Sequence, residues 1–286
     1  MTTRADELVS ATEQLAGACG EPFDRDLVYE LAHRCGWGAR LTTAPLLPSG
    51  VSHGVPWGLS LAIERGGVEL RLFVEAQADP PSQRSFWDAA ADVTDLAAEH
   101  GADTGRLERM LDGVAPLRLW HAVALTRQPR WHAYLCTPDN ETARGALARA
   151  GGATPLLRPQ DRITMTSLDL TEAKRVKAYV LMPDASLDEL AIHSPDARRF
   201  GEAMLGEERP IWWLAAISST TTALHFGVPR HLDEATATQR IRDLLQSFRL
   251  PTEAWERARG PHHFVSFQRR DTRPRVTVYF LPQVQR

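Results

Sequence analysis

Five short segments carry side chains that could do chemistry, all at one spacing. They read VELRLFVE, PRWHAYLCTP, KRVKAYVLMP, TTALHFGVP and PRVTVYFLP. Aligned on the aromatic near the end of each, one column holds Phe73, Tyr134, Tyr179, His225 and Tyr279. Two residues earlier stand Arg71, His132, Lys177, Ala223 and Thr277. Two earlier again stand Glu69, Arg130, Arg175, Thr221 and Arg275. Guanidinium forks and an ammonium are natural partners of phosphate oxygens. No glycine-rich phosphate loop and no dinucleotide fingerprint accompanies them, so kinase and dehydrogenase chemistry lacks its motif. The tyrosines beside the cations narrow the reading to an allylic diphosphate. Cleavage of such a diphosphate leaves pyrophosphate and a delocalised carbocation. Fixed cations stabilise the departing charge. Aromatic faces stabilise the carbocation and keep out the water that would quench it.

Such columns need elements to hold them. Side chains alternate between the two faces of a strand, so the three columns share a face. The other face carries Leu70, Leu72 and Val74; Trp131, Ala133 and Leu135; Val176, Ala178 and Val180; Leu224, Phe226 and Val228; Val276, Val278 and Phe280. An apolar face must be covered, and the helical segments between the strands are there to cover it. The face with Arg, Lys, His and Tyr then looks into a barrel. This inverts the usual small β-barrel, which fills its interior with apolar side chains.

The strands read as five pairs: 59–63 with 68–75, 117–125 with 130–136, 163–170 with 175–181, 211–217 with 223–228, and 263–268 with 275–281. Helical patterns lie at 6–15, 25–32, 84–99, 104–111, 140–150, 186–192, 196–205 and 233–248, with Asp24 placed to cap the second. The predicted class is α+β, a ten-stranded antiparallel barrel of five hairpins surrounded by a ring of helices. Closure removes the exposed sheet edges. The expected organisation is one domain over 1–286, with N-terminal helices in 1–36 and the repeated helix and hairpin units in 55–286.

Two residues in the columns are candidate proton acceptors. His225 has an imidazole that ordinarily titrates near neutral pH. Glu69 is the one carboxylate in the columns, and it could equally pair with Arg71. On the first strand of each hairpin, one member of the adjacent pairs Trp120 and His121, Trp212 and Trp213, and His262 and His263 should face the lumen. Thr164 and Thr166 are expected to point inward. Trp120, Trp213, Thr164 and Thr166 are therefore assigned to an acceptor pocket.

A net charge of −3 gives no electrostatic case for nucleic acid. Cys19, Cys35 and Cys136 form neither a metal-ligand spacing nor an even disulfide framework. No secretory signal and no apolar run of membrane-spanning length is visible, and a cytoplasmic protein is expected.

The ordered set of columns resembles the aromatic prenyltransferases of the dimethylallyltryptophan synthase type, in the short form found in bacteria. Arg175, Lys177 and Tyr179 match that family's Arg-x-Lys-x-Tyr diphosphate strand. His132 and Tyr134 stand in its Lys-x-Tyr strand, Arg71 falls on its first-hairpin arginine, and Arg275 with Tyr279 fall on its last pair. MTSLDL is similar to a strand of the related bacterial phenol and naphthol prenyltransferases. Gly58, in Pro56-Trp57-Gly58-Leu59-Ser60, stands where the family has a glutamate against the acceptor's N–H. The resemblance implies the αββα prenyltransferase barrel. It also implies transfer of a dimethylallyl, geranyl or farnesyl group from its diphosphate to an aromatic acceptor, which could be an indole, a phenol or a peptide. It implies no cofactor and no magnesium requirement. Two alternatives stay open on the residues: a non-catalytic barrel that binds an anionic amphiphile, and a hydrolase using His225 or His263.

Overall fold

The computed structural model describes residues 1–41, 55–78, 85–152, 157–171, 175–182, 186–188, 196–205, 213–218, 222–227, 232–258, 262–270 and 273–280. Among these are ten strands and eight helices. The strands are β1 (Trp57–Glu64), β2 (Gly67–Glu75), β3 (Arg118–Ala124), β4 (Arg130–Cys136), β5 (Ile163–Asp169), β6 (Val176–Met182), β7 (Trp213–Ile217), β8 (Thr222–Gly227), β9 (His262–Arg270) and β10 (Arg273–Phe280). The helices are α1 (Arg4–Cys19), α2 (Arg25–Arg34), α3 (Phe86–Glu99), α4 (Gly105–Leu111), α5 (Asn140–Arg149), α6 (Ala197–Leu205), α7 (Glu234–Ser247) and α8 (Glu253–Ala258).

The strands close into one antiparallel barrel in the order β1-β10-β9-β8-β7-β6-β5-β4-β3-β2. Closure is made where β1 meets β10, with Leu59 opposite Phe280 and Ile63 opposite Val276. No described strand is left with an open edge, as the five-hairpin reading predicts.

The dry core lies outside the barrel, between sheet and helices. Leu70, Leu72, Val74, Trp131, Leu224, Val276 and Val278 have no exposed surface, and they form one cluster with helix residues such as Val93, Leu147 and Ile241. On β4 the accessibility alternates at every residue. Arg130, His132, Tyr134 and Cys136 are half-buried, while Trp131, Ala133 and Leu135 are buried. That alternation is the period-2 pattern of the sequence made physical.

Local signals start the helices. Asp24 accepts from the Leu27 amide at 3.0 Å, as expected. Thr3 with Asp6 and Ser85 with Asp88 form reciprocal capping boxes on α1 and α3. Asp139 and Asp233 accept from Thr142 and Thr236 at the starts of α5 and α7. The chain between α2 and β1 returns to the barrel through Trp37, which is fully buried and donates its Nε1 hydrogen to the Glu75 carbonyl at 3.2 Å. Gly36 makes this approach possible. Its φ is +80°, and a Cβ there would meet the Gln77 carbonyl oxygen at 2.6 Å.

Element ends differ from expectation by one to four residues. Helix α8 had no distinct sequence signal, because six residues carry too few turns to show a period. Most of the helix expected at 186–192 lies outside the described residues, as do Thr221 and Trp212.

Neighbouring residues on β4 should therefore respond oppositely to truncation. Leu135→Ala removes buried atoms from the outer core and should cost about 2–5 kcal/mol. Tyr134→Phe removes one lumen hydroxyl and should cost about 1 kcal/mol. Urea unfolding midpoints of the two variants check this. Equal losses would mean that the lumen face, too, is structural core.

Candidate active site in the barrel lumen

Several long side chains on the even-numbered strands face short ones on the odd-numbered strands. Phe73 lies between Gly58 and Ala122 in the ladder, and Arg71 lies between Ser60 and Ala124. His132 lies between Ala122 and Asp169, while Ala223 pairs with Ala216 and Gln268. This alternation leaves the lumen room for long polar side chains.

The aromatic column closes into a belt. Ring centroids are 5.9 Å apart for Phe73 and Tyr134, 6.0 Å for Tyr134 and Tyr179, and 5.5 Å for Tyr179 and His225. His225 and Tyr279 are 6.1 Å apart, and Tyr279 returns to Phe73 at 5.6 Å. Each ring touches the next at a tilt, within the range of favourable aromatic pairs. Tyr179, Ala216 and Ala223 form a small buried apolar cluster, with Tyr134 and Met165 against it.

Two residues along each strand, about 7 Å away, lies the charged layer. Glu69 is its hub. Its Oε1 accepts from Arg71 Nε at 2.5 Å and from Arg275 Nη2 at 2.8 Å, and its Oε2 contacts Arg130. Arg275 also pairs with Glu64 at 2.9 Å. Glu69 thus pairs with Arg71, as one sequence reading had it, and with two further arginines that the sequence did not connect to it. Lys177 lies opposite Ser167. The Arg175 carbonyl accepts from the Asp169 amide at 2.9 Å, which fixes the entry to β6.

The crowding of charge shows in the titration of its members. Burial, then Arg71, Arg275 and Arg175, pull Lys177 down to about 7, with Asp169 acting the other way. Burial, then Arg71, Lys177, Arg130 and Arg275, hold His132 well below the usual imidazole range, despite Asp169 at 3.9 Å. In the belt, burial pushes Tyr134 up to about 12 and raises Tyr179 and Tyr279 as well. Burial and Lys177 lower His225 to about 3. At neutral pH the belt is uncharged.

The expected acceptor-pocket residues separate. Gly58 and Trp120 stand in lumen registers, Trp120 opposite Glu75 and Tyr134. His121 takes the helix-facing register, is fully buried and is pulled down to about 4 by that burial. Thr166 is on the other face from the one expected: it pairs with Leu135 and Ala178, in the register of the outer core, and is fully buried. The cause is a register shift between Ile163 and Met165. Thr164 sits at that bulge and donates its hydroxyl to the Tyr179 carbonyl at 3.2 Å. The shift puts Met165, Ser167 and Asp169 on the lumen side instead. Trp213 pairs with Met182 and Phe226 in the ladder, and its side chain lies outside the described residues. The side chains at 262 and 263 lie outside the described residues.

Sequence reasoning also passed over Ser60 and Glu75. Ser60 is buried in the lumen register between Tyr279 and Arg71, and its Oγ has no partner among the described residues. Glu75 is one step beyond the aromatic column on β2, and continuing the period-2 count past Phe73 would have found it.

No family model matches the sequence, and no curated protein matches it. Solved structures do. A 6-dimethylallyltryptophan synthase from Micromonospora olivasterospora, in complex with DMASPP and Trp, is similar at 21% identity with a TM-score of 0.83, over 100% of this chain and 99% of that one. A 5-dimethylallyltryptophan synthase from Streptomyces coelicolor, also with DMASPP and Trp, gives 20% identity and a TM-score of 0.86 over 99% and 96%. The prenyltransferase PriB, in a ternary complex with L-tryptophan and dimethylallyl thiolodiphosphate, gives 21% and 0.83 over 99% and 97%. Identities at this level establish the fold, and the fold of this chain is the prenyltransferase barrel.

Proposed function

We propose that this protein transfers a prenyl group from an allylic diphosphate to an aromatic acceptor. One observation carries the reading: a layer of cationic side chains from four strands lies directly beneath a closed, uncharged aromatic belt. The similar solved structures hold a dimethylallyl diphosphate analogue and tryptophan, which supports the same ligand classes here.

The diphosphate binds among Arg71, Arg130, Arg175, Lys177 and Arg275, with Ser60 and neutral His132 as further hydrogen-bond partners. The allylic C–O bond breaks and its electron pair leaves with the diphosphate, whose charge the guanidinium groups stabilise. The prenyl cation lies within the belt of Phe73, Tyr134, Tyr179, His225 and Tyr279, which shields it from water. A π pair of the acceptor ring forms the new bond, and the ring then passes its proton to the released diphosphate. Glu69 serves as counter-ion of the arginines rather than as base, since three guanidinium groups occupy it. His225 serves as a belt member, since an imidazole that protonates only near 3 takes up protons poorly. Among the three donor lengths, packing favours dimethylallyl. Tyr179 is 5% exposed and closes the wall at Ala216 and Ala223 that a longer chain would need.

The arginine layer supports transfer without a divalent metal, so turnover should persist in chelator. We place the reaction in the cytoplasm. Among the described residues no helix is long and apolar enough to cross a membrane, and three cysteines make no disulfide framework.

A mass-spectrometric screen of dimethylallyl, geranyl and farnesyl diphosphates against indoles, phenols and Trp- or Tyr-containing peptides tests the reading. Pyrophosphate binding with no product across the panel would assign the barrel to carriage of an anionic amphiphile instead. Arg175→Ala and Lys177→Ala should each lower kcat/KM for the donor about 100-fold or more; full activity in both would remove the lumen from the chemistry.

Glu69→Gln should act in the opposite sense on binding. It takes away an internal competitor for the arginines, so pyrophosphate should bind about tenfold more tightly, as calorimetry would show. The same change takes the shared carboxylate away from three guanidinium groups, of which Arg275 keeps Glu64. The ligand-free protein should therefore lose about 3–5 kcal/mol of stability and regain much of it with pyrophosphate.

Lys177 gives the binding a pH dependence. Free, it titrates at about 7; beside a bound diphosphate its charged form is favoured. The complex then holds more protons than the free protein, so affinity falls as pH rises through and above about 7, by up to tenfold per pH unit. Pyrophosphate titrations between pH 6 and 9 should show this slope, and Lys177→Met should flatten it.

A further inference from the structure

The charged layer contains a base as well as cations. His132 stands in it at a lumen register on β4, between Ala122 and Asp169 in the ladder. Arg71 on β2, Lys177 on β6, Arg130 on its own strand and Arg275 on β10 all act on it. Strand β3 brings only Ala122 and Ala124 to this level. Of the carboxylates, Glu69 is turned to the arginines and Asp169 to the imidazole.

What one nitrogen of an imidazole faces decides what the other can do. Nδ1 of His132 lies 3.9 Å from Asp169 Oδ2. Catalytic contacts are often this long in a ligand-free site and tighten when ligand binds. Asp169 is mounted to make this one. It is 7% exposed, its Oδ1 accepts from the Thr171 amide at 3.0 Å, and its own amide donates to the Arg175 carbonyl at 2.9 Å. Thr171 Oγ1 accepts from the Trp131 amide at 2.9 Å, which ties the end of β5 to the residue before His132. A carboxylate on the Nδ1 side keeps the imidazole hydrogen on Nδ1. Nε2 is then a lone pair, which takes up a proton and has none to donate.

The layer's charge decides where the acceptor's proton can rest. Cations around a diphosphate favour its fully ionised form over its protonated one. Beside the diphosphate Lys177 is already charged, Glu69 is occupied by three guanidinium groups, and Glu64 holds Arg275. His132 is the base that remains among the described residues of the layer. In the free protein its protonation is opposed by burial and then by the cations. A bound diphosphate offsets the cations, and Asp169 compensates an imidazolium. His225 lacks that second help: it pairs with Leu214 and Ser266 in the ladder, and neither is a carboxylate.

We infer that His132, held by Asp169, is the base that ends the reaction: it takes from the released diphosphate the proton that the acceptor ring has given up. The inference rests on the prenyl-transfer reading and adds the fate of the proton to it. The ring C–H bond breaks, its electron pair restores the aromatic ring, and the proton passes to a diphosphate oxygen. That O–H bond then breaks with its pair left on oxygen, and an N–H bond forms at Nε2. The products are ionised pyrophosphate and an imidazolium paired with a carboxylate. When pyrophosphate leaves, the cations again oppose the imidazolium, its proton goes to solvent, and His132 is reset. Pyrophosphate added from neutral solution brings a proton of its own, so the pH slope set by Lys177 is unchanged.

Nitrogen NMR of the wild type with labelled histidine rings, assigned through the backbone, tests this directly. With dimethylallyl thiolodiphosphate, a donor analogue that releases no ring proton, His132 should be neutral with its hydrogen on Nδ1. With pyrophosphate near neutral pH it should be an imidazolium. Turnover of dimethylallyl diphosphate, with indole or whichever phenol or peptide gives most product, supplies the second arm. His132→Gln takes up no proton, so kcat should fall about 100-fold while the donor KM stays within about threefold. His132→Lys should bind pyrophosphate at least as tightly as the wild type yet recover none of the lost kcat, because a charged ammonium offers no lone pair. Asp169→Asn, at the positioning residue, should lower kcat about tenfold and lose the single Nδ1 tautomer in the thiolodiphosphate complex. Full kcat in His132→Lys would overturn the inference and leave His132 as a diphosphate partner only. So would a neutral His132 in the wild type's pyrophosphate complex, a result that needs no variant to fold. Absence of product from the wild type with every acceptor is a different outcome and would count against prenyl transfer itself.

Discussion

Placing several cationic side chains in one barrel layer is the constraint that the rest of this structure answers. Arg71, Arg130, Arg275 and Lys177 would repel one another strongly in a partly dry space. Glu69 makes the arrangement tenable by holding three guanidinium groups at once. Lys177, which has no such carboxylate against it in the register, responds by losing its hold on its proton. A small charged group can occupy this layer only if it is at least as good a partner as Glu69. A diphosphate is: it carries more charge and more acceptor oxygens. The ligand-free barrel is thus preset with a weaker version of the ligand it is read to bind.

A charged lumen cannot be a hydrophobic core, and this decides the architecture outside it. The sheet must bury its other face, so the strands turn an apolar face outward and the helices cover it. The interior alternates long residues from even strands with Gly58, Ala122, Ser167, Ala216 and Ser266 from odd ones. Long side chains on every strand would leave no room for ligand. Short ones throughout would leave the cations without neighbours to orient them.

Much of this was legible in the sequence because period-2 patterning is a local property. The registers of β2, β4, β6, β8 and β10 follow from their own residues, and the belt from Phe73 to Tyr279 is the aligned column closed on itself. What escaped detection was of two kinds. A bulge changes the frame without changing composition. MTSLDL alternates credibly in either frame, so Thr166 was expected in the lumen, while Ser167 and Asp169 hold those positions. Contacts between strands distant in sequence are also invisible. Nothing near Glu69 announces Arg275, which reaches it only because β1 closes on β10.

The belt shows how the two halves of the lumen depend on each other. Tyr134, Tyr179 and Tyr279 keep their phenolic protons, and His225 stays neutral, because burial opposes charge on all four. A charged group at this level would either neutralise the cation layer or compete with it for the diphosphate. Neutral π faces do neither. They separate an anion-binding floor at the level of Arg71 from the space beside Glu75 and Trp120, four residues or about 13 Å further along β2. The clustered cations and the carboxylates that pair with them thus lie below the belt, the Glu75–Arg118 pair lies above it, and a layer with no formal charge separates the two.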